Sequence, residues 1–332
     1  MASPRILVIA ICFLLFLGSA IAQSTPLLLV LEKNDKTLAI IDPGSQKVIA
    51  RVPAGEDPHE IVASPDGRFA YISNYGAFQN PQHTLSVVDL VAHKPLPAID
   101  LGALRAPHGL ELVNGKVYFT AEGSKAIGRY NPTTHTVDWT LGLGQNRTHM
   151  LVVAPDESRI FTSNVNSDSI SILDHDPKAD ASGWTQTTIP VGKGPEGFDV
   201  SPEGKQVWAA NSHEGTVSVI DVAARKVTDT FNIGMKFANR LKFTPDGKLV
   251  LISDLGTGDL LVLDTTTHKE LKRMNLGHGV AGILISLDAS RAYVAASPDS
   301  NIAVVDLKTL AVITRIPTSR GPDGMAWAQP AK

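Results

Sequence analysis

The stretch PHEIVASPDGRFAYISN, residues 58–74, returns three more times along the chain. It reads THMLVVAPDESRIFTSN at 148–164, PEGFDVSPEGKQVWAAN at 195–211 and ANRLKFTPDGKLVLISD at 238–254. Each copy opens on an apolar run, breaks at a Pro-Asp-Gly-like turn and resumes as a second apolar run that ends on Asn or Asp. Proline presets φ for the first turn position and glycine supplies the positive φ that closes it. A run such as TLSVVDL (84–90) or TVSVIDV (216–222) follows each copy. Short β-rich units recurring roughly every 42 to 49 residues cannot bury their faces alone, so they stack radially around an axis.

Each unit supplies four strands. In the first these are 60–64, 68–73, 84–90 and 97–101. Complete units begin near Pro58, Pro107, Thr148, Pro195, Ala238 and Val280. The two ends of the chain complement each other. Residues 322–328 read as an inner strand, and residues 27–32, 37–42 and 48–53 read as second, third and outer strands. The expected fold is therefore an all-β, seven-bladed β-propeller over residues 23–332, whose last blade is closed by N- and C-terminal strands and leaves no open edge. Two stretches exceed the common length, 76–83 and 175–186, and both are expected as loops.

Residues 1–22 stand apart. Arg5 precedes an apolar run at 6–17, and Gly18-Ser19-Ala20-Ile21-Ala22 has the small-x-small pattern of a signal-peptidase site, so cleavage is expected after Ala22. The run is short for a membrane span. The one cysteine, Cys12, lies within it, so the mature chain is expected to carry no disulfide and no thiolate site. A periplasmic or extracellular location follows as an expectation. Thirty Lys and Arg against 33 Asp and Glu leave no basic surplus, and aromatics are 6% of residues, which argues against nucleic acid as a partner.

Aligning the inner strands puts His59, His108, His149, Glu196, Asn239, Ala281 and Asp323 at one equivalent position, with Glu60 and Arg240 next to it. These side chains should face one another across the axial opening. The ends of the second strands form a further ring on the same face: Asn74, Glu122, Asn164, Asn211, Asp254 and Ser297, with Lys33 from the split blade. Asx residues at strand ends commonly cap backbone amides. Three histidines in consecutive blades are also a nitrogen-rich set for zinc, copper, nickel or haem iron, with Glu196 as a carboxylate companion. An oxygen-rich alternative places calcium or magnesium among Glu122, Asn164, Asn211 and Asp254. No GxSxG, phosphate loop, CxxCH or HExxH motif is present.

The SPDG turn with its AYISN or IFTSN strand, followed by a [TS]-[LVI]-S-[VI]-[VIL]-D strand, resembles the YVTN-type β-propeller repeat over nearly all of the mature chain. The resemblance implies the fold. It also implies kinship with surface-layer and secreted binding proteins and, more distantly, with lactonases, streptogramin lyases, the haem-binding domain of a nitrite reductase and the amine dehydrogenase heavy chain. The expected function is that of an exported binding protein presenting a polar mouth to a small molecule, cofactor or protein partner. The alternatives are a metal-dependent hydrolase or lyase with a divalent ion in that mouth, and a cell-surface scaffold.

Overall fold

The structure, a computed structural model, describes residues 25–77, 79–179 and 182–329. The expected leader at 1–22, Cys12 and the expected cleavage point lie outside the described residues. Among the described residues, seven four-stranded antiparallel sheets surround a common axis. Their inner strands are Pro58–Ala63, Pro107–Val113, Thr148–Val153, Pro195–Val200, Ala238–Phe243, Val280–Ile285 and Pro322–Ala328. No helix among these residues is long and apolar enough to cross a membrane.

Second and third strands are buried on both faces, so they read as continuous apolar runs instead of alternating ones. Leu27–Glu32 shows how this builds a ring. Leu29 and Leu31 pack on Ile61, Ala70 and Ile72 of one neighbouring blade. Leu28 and Val30, pointing the other way by the period-two rule, pack on Tyr293, Ala295 and Val304 of the other. The outer strands, such as Lys47–Pro53, alternate exposed and half-buried positions because only one edge of the blade meets the core.

Ring closure is direct. Leu27–Glu32 pairs on one side with Thr37–Asp42 and on the other with Pro322–Ala328, in the register Leu28↔Trp327 and Leu29↔Ala326. The Trp327 indole N–H donates to the Ile285 carbonyl at 2.8 Å. Glu32, fully buried, accepts from Arg51 Nε at 2.9 Å and from the Ser319 amide at 2.6 Å, tying the N-terminal strand to the segment entering the C-terminal one.

Every inner strand slips register just after its first residue. In the first complete blade Pro58 pairs with Asn74 and Ile61 with Ile72, which leaves His59 and Glu60 opposite Ser73 alone. Two residues against one is a β-bulge, and bulges re-aim side chains. Here the bulge recurs in all seven blades and turns positions two and three of each inner strand out of the ladder.

A hydroxyl opposite the bulge pins it in four blades. Ser73 Oγ accepts from the Glu60 amide at 3.0 Å and donates to the His108 carbonyl of the next blade at 2.7 Å. Thr120 does the same between Gly109 and His149, at 2.9 and 2.8 Å. Ser163 joins Met150 to Glu196, and Ser253 joins Arg240 to Ala281. These buried hydroxyls stitch adjacent inner strands and set the height of the axial ring. Ser73→Ala should cost about 1–3 kcal/mol, the consequence of leaving a buried amide and carbonyl without partners. Chemical denaturation would show it as a lower midpoint with an unchanged slope, and an unaltered midpoint would count against the stitching role.

The extra residues at 76–83, expected as a loop, instead prolong the hairpin. Gly76 pairs with Pro81 and Ala77 with Asn80, so the strands run Phe69–Ala77 and Asn80–Asp89. The sequence is compatible with this because Gly76 takes φ +77°, where an L side chain would be strained. At 175–186 the strand pairing likewise persists to His175↔Trp184.

Candidate functional site at the axial mouth

All seven residues of the aligned inner-strand position line one cavity of about 550 Å³ at the axis. His59, His108, His149, Glu196, Asn239, Arg240 and Asp323 are each at least about nine-tenths buried. The bulge explains the convergence, since without it these side chains would alternate into the blade interfaces.

One side of the mouth is a histidine stack. The rings of His108 and His149 lie 3.8 Å apart at 35°, and those of His59 and His108 lie 4.6 Å apart. Tyr75 packs at 4.8 Å from His59 and edge-on to His108. The tautomer of His59 follows from its partners. Nε2 accepts from the Lys33 ammonium at 2.5 Å, so Nδ1 carries the proton and donates to the Asp57 carbonyl at 2.9 Å. Burial, reinforced by the Lys33 charge, lowers the His59 pKa to about 4. Burial also holds His108 well below the ordinary histidine value, with the His149 and His59 charges acting in the same direction. Both rings are therefore neutral at pH 7.

His149 is the opposite case. Burial disfavours its charge, but the Glu196 and Glu122 carboxylates outweigh burial and raise its pKa. Its Nδ1 makes a short hydrogen bond to Glu122 Oε1, and its Nε2 lies 3.3 Å from Glu196 Oε1 without hydrogen-bond alignment. Glu196 is held down to about 2: burial would raise it, and the His149 charge, then Arg147 and Arg240, overcome that. Glu122 also accepts from the Tyr75 hydroxyl at 2.6 Å and lies 3.7 Å from Arg147 Nε. Across the mouth, Arg240 Nη2 donates to Glu60 Oε1 at 2.5 Å and reaches Asp323 Oδ1 at 4.0 Å.

Most buried polar side chains find partners. Among the described residues six buried side-chain atoms have none, and four belong to the walls of this cavity: His108 Nδ1, His149 Nε2, Glu196 Oε2 and Asp323 Oδ1. A larger depression of about 660 Å³ lies between two blades on the opposite, Pro-Asp-Gly face. It is lined mainly by apolar groups such as Phe69, Tyr71 and Ile99, and none of the six orphaned atoms belongs to its walls. A third cavity, about 450 Å³, lies under the prolonged hairpin and shares Tyr75 and Arg147 with the axial mouth.

The sequence-expected residues divide clearly. His59, His108, His149, Glu196, Arg240 and Asp323 meet at the mouth. Glu122 joins them through His149, although its strand-end position had grouped it with the oxygen-rich set. Asp254 does not join. Its carboxylate accepts the amides of Lys236, Phe237, Gly256 and Thr257 at 2.6–3.2 Å, which occupies it as a strand-end cap. Asn164 and Asn211 donate their side-chain amides to hydroxyls of their own blades, such as Ser171 and Ser218 at 2.9 and 3.0 Å; Asn164 Oδ1 accepts from Thr148 at 3.1 Å, and Asn211 Oδ1 is one of the six unpartnered atoms. The calcium-type set at Glu122, Asn164, Asn211 and Asp254 is thus dispersed into separate backbone and hydroxyl networks. Among the described residues, one His/Asp/Glu cluster has metal-ligand spacing: His108, Glu122 and His149.

Tyr75 and Arg147 went unnoticed in the sequence. Tyr75 follows the last repeat position and has no counterpart in other blades. Arg147 precedes an inner strand at a left-handed residue (φ +55°), a place held by Asp57, Ala106, Gly194 and Gly321 elsewhere. A charged residue there was the available signal.

A family model described as Lactonase, 7-bladed beta-propeller matches residues 129–231, about a third of the chain. A search among curated proteins returned no match. Solved structures are similar over nearly the whole fold. A functionally unknown protein from Desulfotomaculum acetoxidans has a TM-score of 0.75 at 10% identity, covering 92% of this chain and 99% of that one. A candidate 6-phosphogluconolactonase from Bacteroides fragilis has a TM-score of 0.74 at 16% identity, with the same coverage. Hydrazine synthase of Kuenenia stuttgartiensis has a TM-score of 0.67 at 18% identity, covering 83% and 90%. At these identities the likeness concerns the fold alone.

Proposed function

We propose that the axial mouth binds a small, oxygen-rich molecule of the class of polyhydroxylated acids and their cyclic esters. The observation that carries this reading is the set of four unpartnered buried polar atoms around one cavity. Glu196 Oε2 and Asp323 Oδ1 accept, so they call for hydroxyl donors. Arg147, Arg240 and Lys33, which line the same cavity, suit a carboxylate or a polarised carbonyl. The mixture of both charge signs disfavours an apolar ligand and a multiply charged one alike.

A second reading, hydrolysis of such a cyclic ester, is favoured by the lactonase match at 129–231. Water would add to the ester carbonyl while its proton passes to a neutral imidazole. The ring C–O bond then breaks, the departing alkoxide takes that proton, and a hydroxy acid results. His108, neutral and with Nδ1 free, has the right state for an acceptor. The guanidinium groups would stabilise the oxyanion.

Calorimetric titration with D-glucono-1,5-lactone and with gluconate separates the two readings. Binding of either by the native protein is expected, with D323N weakening it about 10- to 100-fold through loss of one charge-assisted hydrogen bond. Lactone opening beyond the spontaneous rate, lost in H108A, adds the hydrolase reading. No binding of either compound, or equal affinity in D323N, contradicts the site.

A further inference from the structure

We infer that His108, Glu122 and His149 form a site for one divalent ion of the zinc, cobalt and nickel class. The three residues come from two inner-strand bulges and one second-strand end, and their ligand atoms all lie within 4.8 Å of one another. A tetrahedral ion with bonds of about 2.0–2.1 Å holds its donors roughly 3.4 Å apart. Binding requires the three donors to close to that spacing and the ion to replace the proton shared by His149 and Glu122.

An independent observation points the same way. Among the described residues His108 Nδ1 is buried without a hydrogen-bond partner, in a residue only 2% exposed. A buried imidazole nitrogen without a hydrogen-bond partner is costly unless a bound group or ion meets it. Two nitrogens and one carboxylate oxygen are a ligand set for borderline divalent ions, and three protein ligands leave a position open to the cavity. The surroundings match those of ligands held for a metal. The Tyr75 hydroxyl fixes the second oxygen of Glu122 at 2.6 Å, and Arg147 steadies the same oxygen from 3.7 Å. Such outer partners orient the carboxylate, and their loss typically lowers affinity 10- to 100-fold. The ion would share the cavity proposed above and take the His108 nitrogen, so it is an alternative to the proton-acceptor role of His108 but does not depend on which organic molecule enters the cavity.

The test is metal binding by the whole protein with no organic ligand present. Protein stripped with a chelator is titrated with Co²⁺, and visible absorption and bound-metal content are read together. One equivalent per chain with tetrahedral-type d–d bands is expected. H108A should lose at least about 100-fold in affinity, and Y75F about 10- to 100-fold. Circular dichroism confirms that each metal-free variant is folded. Should H108A not fold, the Y75F arm and the cobalt spectrum of the native protein decide. Absence of a stoichiometric ion in the native protein overturns the site. So does retention of the same ion and spectrum in H108A, because the metal would then sit elsewhere. Gluconate binding measured separately in the stripped protein shows whether the organic-ligand reading stands on its own.

Discussion

Removal of residues 321–332 should destabilise the entire domain. The deletion takes the inner strand from the split blade, so Leu27–Glu32 loses the partner that carries the pairs Leu28↔Trp327 through Val30↔Met325. Ala326 and Ala328 leave one blade interface, and Met325 and Trp327 leave the other. Each buried large side chain is worth about 1.5–3 kcal/mol, and a new unpaired edge is added. A loss on the order of 5 kcal/mol corresponds to a melting temperature lower by roughly 10–20 °C for a domain of this size. Because every blade is packed on both sides, the loss should appear as one cooperative shift. Scanning calorimetry of the truncated chain reads it directly, and a melting temperature equal to that of the full chain would refute ring closure by the two termini.

The second large effect is expected at Arg240. Its guanidinium holds Glu60 at 2.5 Å and also faces Asp323. R240M would leave Glu60 without its cation, and Asp323 with Lys33 Nζ alone at 3.8 Å. Breaking a buried pair from one side typically costs about 3–5 kcal/mol. The pH dependence has a defined sign. Burial raises the Glu60 pKa and Arg240 pulls it back. Without Arg240 the folded-state pKa rises further, so the folded protein binds a proton that the unfolded chain has already released. Stability then falls as pH rises from the unfolded carboxylate value through the folded one, and the deficit of R240M should be larger at pH 8 than at pH 5. The double variant E60Q/R240M should recover part of the loss. Equal deficits at both pH values would mean that Glu60 charge is not the cause.

Much of this arrangement was legible in the sequence because repetition does the alignment. Seven equivalent positions can be superposed without knowing any contact, and the split blade follows from two incomplete ends. The bulge was not legible. In four of the seven blades it is pinned by Ser73, Thr120, Ser163 and Ser253, hydroxyls inside apolar strands that read as ordinary strand residues until the neighbouring blade is in place. The fate of the second-strand ring was open for a related reason. Asn164 and Asp254 offer the same oxygens to a cation or to hydroxyls and backbone amides, and only their distances show that the latter have them. Tyr75 and the prolonged hairpin depend on an insertion confined to one blade, where repetition gives no guidance.

Four buried polar atoms without hydrogen-bond partners gather at one axial opening. A high-resolution crystal structure of the purified protein tests this most directly. The expected result is ordered density, from water, an ion or a bound molecule, within about 2.0–3.2 Å of His108 Nδ1 and of Glu196 Oε2. Rings of His59, His108 and His149 turned away from the axis, or a mouth with no density near either atom, would contradict it.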